Sequence, residues 1–305
     1  MTDYVIETFD LSKTYKLKKN KEIEALKNIN IKIKRGEIFG LLGPNGAGKT
    51  TIVQILTTLL QPTKGYAIID GFNLIEKSFE IKKRIGLMLA AGMIYYRITG
   101  YENLKFFCKI YNIKDYKDRI RQIAEQFSLG EWLDQYVEKY STGMKIKLGL
   151  CRALLIDPPI LFLDEPTLGL DVVTTLFIID KLKQLNKTIF LTSHNMHVVE
   201  KLCERIAFIN NGTILKIGTQ DELKSLMQSE VNINVEIRDN MQKLLNELNL
   251  HNFIKKVDSS NNNIVITMIH NKYYKELCSI LANFDVTKIQ EQELSLDNLF
   301  NFLLK

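Results

Sequence analysis

The sequence predicts an α/β chain: a largely parallel sheet covered by helices on both faces, broken by a helical insertion and followed by a small α+β domain. Three observations carry that expectation. Strand-like apolar runs alternate with amphipathic helical stretches through the first two thirds of the chain. The stretch "GPNGAGKT", residues 43 to 50, joins one such strand directly to a helix. Beyond about Gln228 the order changes to strand, helix, strand, strand, helix, strand. A length of 305 residues is long for one core and comfortable for two. The expected division is a main domain at 1–227, with a helical subdomain at about 81–156 inside it, and an accessory domain at 228–305.

Taken in order, "YVIETF" (4–9) and "INIKI" (29–33) read as short strands separated by a lysine- and asparagine-rich loop at 16–22. "EIFGLL" (37–42) reads as a buried strand running into the glycine-rich turn. Helical patterning dominates from Ile81 to about Glu138, as in "YENLKFFCKIY" and "DRIRQIAEQF". "GMKIKLGLCRALLI" (143–156) is a helix whose start offers Ser141 and Thr142 as caps, and Pro158 and Pro159 stop it. The strand "ILFLD" (160–164), a helix at 174–185, the strand "TIFLTS" (188–193), a helix from Met196 to about Glu204 and "IAFINN" (206–211) complete the alternation. In the accessory domain, "VNINVEI", "FIKKV", "IVITMI" and "VTKIQ" are strands. Helices at "NMQKLLNELN" and "KYYKELCSILANF" separate them and "LDNLFNFLLK" follows, which is the split βαβ order of ferredoxin-like folds.

Composition narrows the functional classes. Hydrophobic content of 46% and charged content of 25% are ordinary globular values. Charged residues or glycine interrupt every apolar run before the roughly 18 residues of a membrane helix, and "MTDYVIETFD" does not read as a secretory signal. The expected place is the cytoplasm. The cysteines Cys108, Cys151, Cys203 and Cys278 lack metal or disulfide spacing and read as reduced, mostly buried thiols. The balance of 41 basic against 35 acidic residues leaves +6, a mild surplus that reads as solvated surface.

The chemistry concentrates in a few stretches. "GPNGAGKT" fits the phosphate-binding pattern G-x-x-x-x-G-K-[ST] of P-loop NTPases. Its residues Gly43, Pro44, Asn45, Gly46, Ala47 and Gly48 let backbone N–H groups turn inward to phosphate oxygens. Lys49 adds a point charge for the β- and γ-phosphates, and Thr50, with Thr51 beside it, opens the helix whose dipole favours an anion. Thr50 would place its hydroxyl on Mg²⁺. "ILFLDEPT" (160–167) carries two adjacent acids to the end of a buried strand, where an unpartnered charge costs several kcal/mol. A nucleotide-bound Mg²⁺ beside Asp164 would offset that cost, leaving Glu165 to hold an attacking water. Taken alone, the pair could instead cap a helix after Pro166. Ser141 and Gly143 open a second helix and form a second anion-seeking end, although a simple cap explains Ser141 equally well in isolation.

Together these stretches resemble the ATPase subunit of ATP-binding cassette (ABC) transporters over about residues 3–225. "YSTGMKIKLGLCRALL" stands at the signature sequence, "LGLD" (168–171) at the dimer-contact loop and "TSH" (192–194) at the switch histidine. The resemblance implies that Tyr15, in "LSKTYK", stacks on adenine, and that Glu165 and His194 are catalytic. It implies that Ser141 and Gly143 face the ATP of a second ATPase subunit in a head-to-tail dimer, homodimer or close relative. A separate polytopic permease is the implied membrane partner, with the subunit peripheral on the inner face of the cell membrane. The accessory domain resembles the tail of exporter ATPases for drugs, bacteriocins or sodium, so export is the implied direction. A soluble cassette ATPase acting on nucleic acid or ribosomes is the alternative, and the chain lacks the second cassette or long insertions usual there. Three departures stand out. Tyr140, Thr142 and Met144 replace the family's usual signature residues, Ala90 stands at its usual glutamine, and His197 stands where an acid is common.

Overall fold

The computed structural model describes residues 4–16, 18, 21–89, 94–225, 231–260, 263–291 and 296–304. Two compact units, Met1–Gln220 and Asp221–Lys305, divide the chain. In the first, the strands are β1 (Tyr4–Lys16), β2 (Glu22–Ile29), β3 (Lys32–Lys34), β4 (Ile38–Leu42), β5 (Lys64–Ile69), β6 (Phe72–Asn73), β7 (Ile85–Met88), β8 (Ile160–Asp164), β9 (Thr188–Ser193), β10 (Arg205–Asn210) and β11 (Thr213–Thr219). Its helices are α1 (Lys49–Leu56), α2 (Ser78–Lys82), α3 (Gly100–Ile110), α4 (Tyr116–Gln126), α5 (Thr142–Leu154), α6 (Val172–Lys183), α7 (Met196–Leu202) and α8 (Gln220–Ser225), the last ending beyond the unit boundary.

Strands β4, β8 and β9 are buried along their whole length, as the apolar centres of their sequences require. They form the centre of a six-stranded sheet of order β11-β10-β4-β9-β8-β7. Every pairing in it is parallel except β10 with β11. An antiparallel sheet of order β2-β1-β5-β6, with β3 on β1, faces the same core. One buried cluster takes Leu11 and Leu26 from this sheet, Phe39, Phe162 and Phe190 from the parallel sheet, and Ile52 and Val53 from α1. Packing on both sheets thereby fixes the phosphate-binding turn, which lies between β4 and α1.

The antiparallel sheet corrects the reading of the N-terminal segment. The run at 4–9 extends to Lys16, and Glu22–Ile29 pairs with it as a strand where a loop was expected to end. The strand β7 also lies inside the stretch read as helical from Ile81, as the edge of the central sheet. After it come α3, opened by a reciprocal Thr99–Glu102 capping box, then α4 and α5.

The second unit contains β12 (Val231–Ile237), α9 (Met241–Leu248), β13 (Ile254–Ser260), β14 (Asn263–Met268), α10 (Tyr274–Leu281), β15 (Val286–Glu291) and α11 (Leu296–Leu303). Its sheet has the order β13-β14-β12-β15 with every pairing antiparallel. That is the split βαβ arrangement expected from the sequence. Along β12 buried and half-buried residues alternate, and its inward Val231, Ile233, Val235 and Ile237 pack with Leu244 and Leu248 of α9 and Leu277 and Leu281 of α10. Cys108, Cys151 and Cys203 are buried free thiols, and Cys278 is exposed.

Candidate active site

Between β4 and α1 the backbone must curl tightly enough to aim its N–H groups inward, and only certain residues permit this. Gly48 sits at φ 106°, where an L side chain is strained, and a Cβ there would lie 2.7 Å from the Ala25 carbonyl oxygen. A Cβ on Gly43 would run into the Ile209 carbonyl oxygen of β10. The turn is tied down by backbone bonds from Gly43 N to Ser193 O (3.3 Å), Ala47 N to Pro44 O (3.2 Å) and Gly212 N to Ala47 O (3.0 Å). Pro44, Asn45 and Gly46 form its exposed lip, and Ala47 is buried beneath it. No side chain caps α1, whose N-cap is Gly48, so its first N–H groups are placed to receive an anion.

Lys49, the first residue of α1, is 6% exposed. Its ammonium donates to the carbonyls of Gly43 (2.7 Å) and Pro44 (3.2 Å) and lies 3.2 Å from Glu165 Oε1. Lys49 thus gives Glu165, just past the end of β8, a cationic partner, while Asp164 has hydroxyl partners instead. The two acids diverge sharply. Asp164 ends the strand with both oxygens engaged, Oδ2 accepting from the Thr50 hydroxyl (2.9 Å) and Oδ1 from the Thr192 hydroxyl (2.6 Å). Glu165 leaves the strand at φ 51°, a left-handed conformation that costs a non-glycine residue about 1–3 kcal/mol. Its N–H is shared between the carbonyl (3.1 Å) and hydroxyl (3.2 Å) of Thr192. The carboxylate lies between Lys49 and His194, with Oε1 3.2 Å from the Lys49 ammonium and Oε2 2.9 Å from His194 Nδ1. A carboxylate only accepts, so Nδ1 carries the proton.

The site suits a magnesium nucleotide. Thr50 and Asp164 present hard oxygen donors side by side, the set that Mg²⁺ prefers. Glu165 Oε1 is buried with no hydrogen bond, although the Lys49 ammonium lies within ion-pair distance. That leaves an acceptor available to a water. Held by Thr50 and Asp164, Mg²⁺ would neutralise phosphate charge.

The remaining expected residues lie apart from this cluster. Ser141 is the N-cap of α5 and accepts from Met144 N at 3.2 Å. Gly143 faces Thr174 and Leu170, and the Thr142 methyl packs toward Gly169, so the signature turn leans on the "LGLD" loop. Tyr15 is half-buried near the end of β1, with the Lys13 ammonium 5.4 Å from its ring centroid. His197 is exposed on α7, and Ala90 lies outside the described residues. Sequence reasoning missed Thr192. Its signal was present, because a hydroxyl inside the apolar run "TIFLTS" must find a partner when buried, and parallel pairing sets Thr192 beside Asp164.

The sequence pattern of a family described as ABC transporter matches residues 26–168. The chain is 35% identical over 232 residues to the ABC transporter ATP-binding protein NatA of Bacillus subtilis, covering 74% of this chain and 93% of that protein. This chain belongs to the ABC transporter ATPase family. It is 33% identical over 302 residues to the bacitracin transport ATP-binding protein BcrA of Bacillus licheniformis, covering 97% of this chain and 96% of BcrA. The fold also matches a dimeric ATP-binding cassette in a post-hydrolysis state with ADP and Pi, at TM-score 0.64 and 27% identity, covering 70% of this chain and 98% of that one. The protein is thus an ATP-binding, Mg-dependent ATP-hydrolysing subunit of an ABC transporter, and cassettes of this family dimerise. No helix among the described residues is long and apolar enough to cross a membrane.

Proposed function

We propose that Glu165 is the general base of ATP hydrolysis, and that two such cassettes close head to tail on ATP to drive export through a separate membrane permease. The observation that carries this reading is the line of contacts Lys49–Glu165–His194 at the end of β8. Lys49 and the N–H groups opening α1 bind the β- and γ-phosphates. Glu165 holds the water and takes its proton, a role worth about 10²–10⁴-fold in rate. His194 orients that carboxylate through Nδ1–H, and its other ring nitrogen would serve the γ-phosphate. Tyr15 stacks on adenine. Ser141 and Gly143, at the start of α5, meet the γ-phosphate bound by the second subunit.

A permease explains the aromatic surface of the helical insertion. Tyr95, Phe106 and Phe107 pack ring against ring, with centroids 5.2–6.4 Å apart. Tyr95, Phe106 and Tyr111 nevertheless remain 50%, 42% and 46% exposed. A soluble surface rarely carries such a cluster without a partner. The subunit would then sit on the inner face of the cell membrane through that permease. The accessory domain, 228–305, is assigned to the same exporter role because the likeness to BcrA runs through it. Two measurements test the reading: co-purification with a polytopic membrane protein, and ATP turnover. Glu165→Gln should retain ATP while turnover falls at least about 100-fold. Turnover equal to wild type removes Glu165 from the role.

A further inference from the structure

Arg152 lies in the last turn of α5, the helix that Ser141 opens, and is 6% exposed. Its Nη2 donates to the Leu87 carbonyl of β7 at 2.8 Å, and its guanidinium carbon lies 5.0 Å from the centroid of the Phe107 ring on α3. Burial pulls its pKa below the ordinary value, opposed by the nearby phenols of Tyr111 and Tyr95, so the buried cation depends on these contacts. The contacts bracket one segment. Leu87 lies on β7 just before residues 90–93, and Phe107 is stacked on Tyr95 just after them. Asn103, 1% exposed, fastens Tyr95 to α3 through its backbone N (2.7 Å) and O (2.9 Å). The packing of α5 on β7 is close in its C-terminal half. A Cβ on Gly86 would strike the Ala153 carbonyl oxygen, and one on Gly149 would lie 3.6 Å from Met88.

We propose that Arg152 is a positioning residue: it locks α5 to both flanks of the segment between β7 and α3, so that a push on the exposed aromatic face is delivered to Ser141 at the other end of α5. The helix between them is a rigid element of thirteen residues, Thr142–Leu154. A load applied at its last turn therefore moves its first. A cavity of about 310 Å³ under the start of α5, lined by Thr142, Lys145, Met88 and Glu165, leaves room for that movement. This inference rests on the proposed closing of two cassettes on ATP and goes beyond it, because Arg152 stands at the opposite end of α5 from Ser141.

The test uses the full chain with Arg152→Met, Arg152→Lys and Phe107→Leu, and three readouts: affinity for a fluorescent ATP analogue, ATP-induced dimerisation in the Glu165→Gln background, and kcat against KM. ATP affinity and KM should stay within about twofold of wild type, because the phosphate turn is untouched. Arg152→Met should weaken ATP-induced dimerisation and lower kcat roughly tenfold, within the span that coupling through packed side chains reaches. Arg152→Lys should fall between, since an ammonium can still reach Leu87 O but does not stack as a planar guanidinium does. Phe107→Leu removes the ring and should also give an intermediate loss. Unchanged kcat and dimerisation per folded molecule, even with a lowered melting temperature, would overturn the proposal and leave Arg152 a structural residue. If Arg152→Met does not fold, wild-type behaviour of both Arg152→Lys and Phe107→Leu overturns it. Absence of turnover or of ATP-induced dimerisation in the parent chains would instead strike the ATPase reading.

Discussion

Replacing Thr192 with valine removes one hydroxyl from the centre of the site and almost nothing else, because the two side chains have similar shape and Thr192 is fully buried. The lost hydroxyl donates to Asp164 Oδ1 at 2.6 Å and also receives the Glu165 N–H at 3.2 Å. A hydrogen bond to a charged group contributes about 1.5–3 kcal/mol. At about 1.4 kcal/mol per tenfold, that is roughly a 10–100-fold change in any equilibrium that depends on a fixed Asp164 carboxylate. Loss of a residue that orients a metal ligand spans the same range. Thr192→Val should therefore raise the Mg²⁺ concentration needed for half-maximal ATP retention by about 10–100-fold. It should also lower the urea midpoint of the nucleotide-binding unit. Thr192→Ser is the control, since it keeps the hydroxyl and loses a methyl group. It should lose about 0.5–1.5 kcal/mol of stability, as one-methyl truncations do, while its Mg²⁺ dependence stays near wild type. A Thr192→Val protein whose Mg²⁺ dependence lies within about twofold of wild type would refute the argument that Asp164 is held from β9.

Other outcomes follow from the same geometry. Gly48→Ala places a Cβ at φ 106° and 2.7 Å from the Ala25 carbonyl. It should destabilise the fold by at least about 1–3 kcal/mol, read as a drop in melting temperature; an unchanged melting point would contradict the strained turn. The Lys187 ammonium donates to Asp157 at 2.8 Å and holds that carboxyl below its usual range. A depressed folded-state pKa contributes stability above the unfolded pKa, and that stability disappears as pH falls through the folded one. Asp157→Asn should therefore be less stable than wild type at pH 7, by under about 1 kcal/mol because Asp157 is largely exposed. The difference in urea midpoints should close on acidification, and a gap that widens toward acid would reverse the sign of the argument.

The sequence disclosed the parallel sheet and the accessory domain because their strands are of two readable kinds. The strands β4, β8 and β9 are buried along their whole length around apolar centres, and β12 alternates with period two. The strand β2 is neither. Its sequence EIEALKNI buries Leu26 and Ile29 while its charged residues face outward, so lysine and asparagine masked a strand held by pairing with β1. The four residues of β7 were lost within helical patterning because so short a run cannot show its period. Only its parallel pairing with β8, distant in sequence, identifies it. The same distinction governs the site. The glycine turn and Lys49 were legible because one local stretch supplies the cradle. Thr192 and Arg152 act across long sequence separations on Asp164 and Leu87, and no local pattern reports such contacts.

The two neighbouring acids show how little sequence distance constrains chemistry once the backbone turns. An extended Glu165 would be expected to point its side chain to the opposite face of the sheet from Asp164. The left-handed φ of 51° instead brings it round to the open end of the strands, and the Thr192 carbonyl and hydroxyl hold its N–H there. Asp164 stays fixed by two hydroxyls, as a metal ligand should be, whereas Glu165 keeps one oxygen on His194 and the other beside Lys49 without a hydrogen bond. A base has to accept a proton, and an oxygen saturated with donors would resist doing so. The unsaturated oxygen is the observation that favours the proposal of Glu165, and not Asp164, as the carboxylate that acts on water. Thr192 connects the two roles, because one hydroxyl fixes the metal-side acid while its neighbouring backbone holds the turn that presents the other.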